Sequence, residues 1–123
     1  GTREKWPEEY LRKNRETTDI QRAGFTKAVK MGVKIAYGTD SGVYPHGGNA
    51  KQFAYMVRYG MTPMQAIQSA TIRAAELLGK EETLGSVQPG RFADLVAVKG
   101  DPLQDIRVLE NLTHVMKDGK LVR

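Results

Sequence analysis

The sequence predicts an α/β protein, on three observations. A long helical pattern leads into Val33–Tyr37, a short run that is apolar apart from Lys34. A nearly continuous apolar run of this length is typical of a strand covered on both faces, as in a parallel sheet. Two further helical patterns follow, and about the last forty residues change to short apolar runs separated by turn residues.

The first two helices are predicted from spacing and end signals. Apolar residues recur every three or four positions over residues 7–31, and Gly32 is a natural stop. The second helix is predicted to start with Asn49 as its N-cap and Gln52 at its third position, and to end at Gly60.

The third helix has the clearest ends. Thr62, Pro63 and Gln65 form the pattern of a capping box with a proline in the first turn, and Gly79 closes the helix. Its inner stripe comprises Ile67, Thr71, Ala74 and Leu78. We therefore expect the helical pattern to continue from Thr62 to Gly79.

The residues after Gly79 predict a small sheet with two turns. Residues 88–91 place a proline second in a four-residue turn. The Asp118-Gly119 pair favours a two-residue hairpin. A helical region is therefore expected up to residue 79 and a strand-rich region over residues 80–123.

Composition restricts the partners. The net charge is +5, but the excess lies mainly in residues 1–34, which hold nine Lys/Arg and five acidic residues in a mixed pattern. A mixed helix surface is typical of a solvated face, so we expect no nucleic-acid partner. No apolar run approaches the ~20 residues of a membrane span, so we expect no membrane partner. The absence of cysteine permits a reducing compartment, and we expect a cytoplasmic protein.

Asp40 is the main candidate for chemistry, because it follows the predicted strand where ligands bind in parallel α/β proteins. A carboxylate there can bind a divalent metal, accept a proton, or cap a turn. His46 lies in the next loop and could reach a ligand or simply be a surface residue, whereas His114 is expected to be structural. Two separated histidines, one carboxylate and no cysteine make an incomplete zinc site.

Three stretches together resemble a known family: GVKIAYGTDSGVYPHGGN, GMTPMQAIQSATIRAAELLG and LGSVQPGRFADLVAVKGDPLQDI. Their order and spacing are similar to the C-terminal end of the metal-dependent amidohydrolase superfamily, in its imidazolonepropionase-like and Xaa-Pro dipeptidase (prolidase) branch. The resemblance implies a (β/α)8 TIM barrel with divalent metal, usually zinc, at the mouth, and a small β-sandwich. Residues 1–79 would be the last part of the barrel and residues 80–123 part of the sandwich.

The resemblance also implies roles for individual residues. Asp40 would be the strand-eight aspartate, which contacts the metal, takes a proton from the hydrolytic water and passes it to the leaving amine. His46 and Asn49 match a His-Gly-x-Asn pattern and would line the substrate pocket. The remaining metal ligands of the family belong upstream of residue 1.

We therefore expect a C-terminal fragment of an enzyme that hydrolyses a C–N bond in a dipeptide or an N-acyl amino acid, inactive without its N-terminal portion. A barrel strand without neighbours leaves unpaired edge groups, so we also expect self-association. The alternatives are a stand-alone basic module that binds nucleic acid or a protein, and a non-enzymatic relative that keeps the barrel.

Overall fold

The computed structural model describes residues 7–42 and 47–123, which contain both helices and strands, as the sequence predicts. The chain divides into two compact units, one ending at Val33 and the other running from Lys34 to Arg123. The described part of the first unit contains one helix, and the second unit holds all the other elements described below.

Helix α1 spans Glu8–Lys30 and confirms the first predicted helix. Acidic residues lie in its first turn and basic residues in its last, which complements the helix dipole. Arg12 pairs with Glu16 at 3.0 Å, one turn away. Gly32 ends the helix at φ +74°, a left-handed conformation that suits glycine.

The prediction of a strand at Val33–Tyr37 is wrong for this chain by itself. Residues 33–40 are assigned neither helix nor strand. The Tyr37 N–H instead donates to the carbonyl oxygen of Ser69 at 2.8 Å. A strand requires a neighbouring strand, and within the described ranges none pairs with this segment.

The second predicted helix is present with a different start. A 3₁₀ turn over Asn49–Lys51 leads into α2, Gln52–Arg58. The prediction that Asn49 is the N-cap is wrong, because Gly48 occupies the flanking position and Asn49 is already the first residue of the 3₁₀ turn. Gly60 adopts φ +131° after the helix, as expected of its stop.

The third predicted helix is two helices, α3 over Pro63–Ala70 and α4 over Ile72–Leu77. The capping box is confirmed: Thr62 Oγ1 accepts from the Gln65 N–H at 3.1 Å, and Gln65 Oε1 accepts from the Thr62 N–H at 2.9 Å. The predicted continuity fails at Thr71, where φ is −122° and ψ is −92°.

The break at Thr71 coincides with a close approach by Gly85. A Cβ added to Gly85 would lie 3.0 Å from the Thr71 carbonyl oxygen and 2.9 Å from the Ala75 side chain. Gly85 has φ +97°, so glycine is suited to this position both by conformation and by space.

Three antiparallel strands form one sheet in the order β1, β2, β3, and they span Leu95–Val98, Leu112–Lys117 and Lys120–Leu121. A second 3₁₀ helix, Ile106–Glu110, precedes β2. The predicted Asp-Gly hairpin is confirmed, since Asp118 and Gly119 adopt φ +49° and +76° between the paired ends of β2 and β3.

Asp94 anchors this hairpin to the residues before β1. Its carboxylate accepts from Lys117 Nζ and from the Asp118 N–H, both at 2.8 Å. The Gly119 N–H also donates to the Ala93 carbonyl oxygen at 3.0 Å. The hydrogen bond from Lys117, followed by that from the Asp118 backbone, holds the pKa of Asp94 below its ordinary value.

Buried apolar side chains in the second unit are few: Met56, Met61, Ala66, Ala75 and Ile106. Several large apolar side chains remain exposed around a groove of about 390 Å³ beside α4 and β1. Among them, Val87 is 84% exposed and Leu78 is 68% exposed. Within the described part of the chain, the helices include none long and apolar enough to cross a membrane.

Candidate functional site

Asp40 lies exposed in the loop after residue 37, with φ +49°. A positive φ is uncommon outside glycine, although aspartate tolerates it better than most residues. Asp118 also has a positive φ, but there the hairpin turn requires it. Unusual backbone conformations cluster at functional sites, so the conformation of Asp40 supports a functional hypothesis for this loop.

The residue at the start of this loop, Tyr37, is held through its backbone and its ring. Its N–H donates to the Ser69 carbonyl oxygen at 2.8 Å, and its hydroxyl donates to the Asn49 carbonyl oxygen. Its ring lies 4.5 Å from the Phe53 ring, centroid to centroid, at an interplanar angle of 34°. These contacts attach the loop to α3 and to the start of α2.

A further hydrogen bond lies closer to Asp40. Gln52 Nε2 donates to the Gly38 carbonyl oxygen at 2.9 Å. Sequence reasoning assigned Gln52 to a helix cap and missed this contact. Gln52 instead opens α2 and directs its amide to a loop fourteen residues earlier. No local sequence signal distinguishes that role from capping.

Two polar atoms beside this loop are buried without a hydrogen-bond partner in residues 7–42 and 47–123. They are Ser41 Oγ and Asn49 Oδ1. Buried polar groups are normally satisfied, so each such atom calls for an explanation, of which a missing ligand or water is one. Asn49, a predicted substrate-binding residue, therefore has a side-chain acceptor that is both unsatisfied and inaccessible to solvent in this structure.

Only one of the two histidines, His114, lies in the described part of the structure. His46 lies outside the described residues. His114 is on β2, exposed, with Nδ1 3.1 Å from Thr113 Oγ1, as expected for a structural position.

The described residues do not fit a complete metal site. Outside residues 1–6 and 43–46, the structure contains no group of three or more His, Asp or Glu side chains that could hold a metal ion. A catalytic zinc site usually has three protein ligands. The described residues therefore do not complete a metal site around Asp40.

The sequence model of the amidohydrolase family matches residues 5–122, nearly the whole chain. The chain belongs to the amidohydrolase family. The family resemblance inferred from the three motif stretches is thereby confirmed. Members of this family typically bind divalent metals.

Two curated proteins show what this amidohydrolase chain is similar to. It is 39% identical to the ochratoxinase of Aspergillus niger over 110 residues, which cover 85% of this chain and 22% of that protein. It is 29% identical to the imidazolonepropionase of Fusobacterium nucleatum, with 78% of this chain and 25% of that protein covered. The chain thus spans about a quarter of the length of these relatives.

A solved structure of a Xaa-Pro dipeptidase, with methionine bound in its active site, is also similar. It matches this amidohydrolase chain with a TM-score of 0.80 and 56% identity, over 83% of this chain and 25% of the dipeptidase. The structural match and the sequence match therefore indicate the same family.

Proposed function

We propose that this chain is the C-terminal part of a metal-dependent hydrolase that cleaves C–N bonds, with Asp40 as its catalytic acid/base. One observation carries the proposal: in a chain of the amidohydrolase family, an exposed carboxylate with positive φ lies in a loop tethered to two helices.

The proposal extends to the fold of the parent protein. Residues 33–37 would form the eighth strand of a (β/α)8 barrel once the neighbouring strands of the parent are present. Asp40 would then lie at the C-terminal end of that strand, where the active sites of such barrels are found. Residues 80–123 would contribute three strands to a composite β-sandwich.

In the proposed reaction, Asp40 takes a proton from the attacking water and later gives it to the nitrogen of the leaving amine. Both transfers require a carboxylate within hydrogen-bond reach of the reacting atoms, and the exposed side chain of Asp40 is accessible to a substrate. Asp40 could also supply one ligand oxygen to the metal, which we propose to be zinc. The other ligands would come from the rest of the parent protein.

We propose a dipeptide with a C-terminal proline as the substrate class, and an N-acyl amino acid as the second class to test. The 56% identity to a Xaa-Pro dipeptidase supports the first class. By the family resemblance, we also propose that Asn49 and His46 line the substrate pocket of the parent.

The partner that we propose for the exposed apolar groove is the N-terminal portion of the same protein. Val87 and Leu78 would be covered by it in the parent. Without that portion, the chain would be inactive, and copies would associate through the same surface.

The test compares Asp40→Asn with the unchanged full-length parent, loaded with zinc. We expect kcat for Xaa-Pro dipeptide hydrolysis to fall by roughly 10²- to 10⁴-fold, the usual contribution of a positioned acid/base. Asp118→Asn is a matched control, because Asp118 is another aspartate with positive φ and it lies in the hairpin turn. An Asp40→Asn enzyme with unchanged kcat would refute the proposed role.

A further inference from the structure

The geometry points to a positioning role for Gln52, which would fix the orientation of Asp40 through the carbonyl group of Gly38. This inference rests on the proposed function of Asp40. Gln52 does not touch the reacting atoms in this scheme, and its effect is transmitted along two residues of backbone.

The backbone before Asp40 needs such a restraint. Gly38 has no side chain, and a Cβ added there would meet nothing within 4 Å. Steric contact at that position therefore does not limit the backbone of Gly38, and glycine has more conformational freedom than any other residue. The hydrogen bond from Gln52 Nε2 at 2.9 Å restrains the peptide group that follows Gly38.

The donor is itself held firmly. Gln52 is the first residue of α2 and is partly buried, so its amide extends from a helix rather than from a loop. The next residue, Phe53, packs against the ring of Tyr37. The same helix start thus contacts both Tyr37 and Gly38, which are consecutive residues leading to Asp40.

Small displacements of a catalytic group have large kinetic effects. A misplacement of about 1 Å can lower a rate by about 10²-fold, even when the substitution lies away from the chemistry. Loss of the Gln52 hydrogen bond would let the peptide after Gly38 rotate, and Asp40 would move with it. Substrate binding through other side chains would change little.

The first experiment uses Gln52→Met in the full-length, metal-loaded parent, because methionine keeps approximately the length of glutamine but cannot donate a hydrogen bond. We expect kcat to fall about 10- to 100-fold while KM changes less than about twofold. Gln104→Met is the matched control, since Gln104 is exposed on a turn in the same unit. It should leave kcat unchanged.

The second readout does not depend on activity. Amide hydrogen exchange of residues 39–42 should become faster in Gln52→Met, whereas exchange in α3 should remain unchanged. Gln52→Glu provides an independent variant, because the ionised carboxylate has a similar size and no donor. If Gln52→Met fails to fold, the same comparison is made with Gln52→Glu.

The outcomes separate the two proposals. A parent enzyme that does not hydrolyse C–N bonds, or that keeps its rate in Asp40→Asn, overturns the proposed function. A parent that is active and loses its rate in Asp40→Asn, but shows unchanged kcat and unchanged exchange of residues 39–42 in the Gln52 variants, overturns the positioning role alone. Reduced kcat together with faster exchange of residues 39–42 supports it.

Discussion

The close approach of Gly85 to the break between α3 and α4 gives a quantitative stability prediction for Gly85→Ala. Gly85 has φ +97°, and an added Cβ would lie 2.9 Å from the Ala75 Cβ, 3.0 Å from the Ile72 Cα and 3.0 Å from the Thr71 carbonyl oxygen. Carbon atoms in favourable contact are about 3.5 to 4.0 Å apart, so the new methyl group would overlap its neighbours.

Two costs add at this position. A left-handed conformation costs a residue with a Cβ roughly 1–2 kcal/mol. Overpacking by one methyl group typically costs about 1–3 kcal/mol more, and two of the three neighbouring atoms are backbone, which cannot move aside easily. We therefore expect Gly85→Ala to lower the free energy of unfolding by about 2–5 kcal/mol.

Gly90→Ala isolates the packing cost. Gly90 has φ +84°, and a Cβ there would meet nothing within 4 Å. Gly90→Ala has the same conformational cost and the same effect on the unfolded chain as Gly85→Ala, but no packing cost. We therefore expect it to lower the free energy of unfolding by only about 1–2 kcal/mol. Urea unfolding of both variants, at one protein concentration and followed by circular dichroism, measures the difference. Equal destabilisation by the two substitutions would refute the packing argument.

Two further predictions concern pH and association. Hydrogen bonds from Lys117 and Asp118 lower the pKa of Asp94, so their stabilisation is present above the unfolded pKa of about 3.9 and is lost as pH falls through the lower folded pKa. Asp94→Asn should therefore lower the urea midpoint clearly at pH 7 and progressively less as pH falls below the unfolded pKa of about 3.9. An equal loss at pH 7 and at the lowest pH tested would contradict this linkage. For the 123-residue chain alone, light scattering should give a mass that rises with concentration, and a monodisperse monomer would contradict self-association.

Local signals predicted the elements that local interactions stabilise. The sequence signals for the capping box at Thr62 and for the Asp118-Gly119 turn lie within three positions of each other, and both elements are present. The helix start at Asn49 was assigned wrongly. The Asn49 carbonyl oxygen accepts a hydrogen bond from Tyr37, twelve residues earlier, and no pattern within the helix reports such a contact.

The remaining errors have a non-local cause as well. The break at Thr71 lies where Gly85 packs against the helix backbone, a contact between residues fourteen positions apart. The apolar run at Val33–Tyr37 fits a strand, but strand formation also requires a partner strand. Asp40 could be identified from the sequence as a candidate catalytic residue, because ligands bind where such a strand ends. No sequence pattern identifies Gln52 as a residue that contacts the Asp40 loop.

The tethers of the Asp40 loop have a consequence for recombination between related proteins. Tyr37, Gly38, Gln52 and Ser69 all lie after the division between Val33 and Lys34. A chimaera joined at that division would inherit the carboxylate together with the described contacts that orient it. A junction placed between residues 42 and 47 would instead take the carboxylate from one parent and its supports from another. Gene shuffling at the first junction should therefore preserve a working loop more often than shuffling at the second.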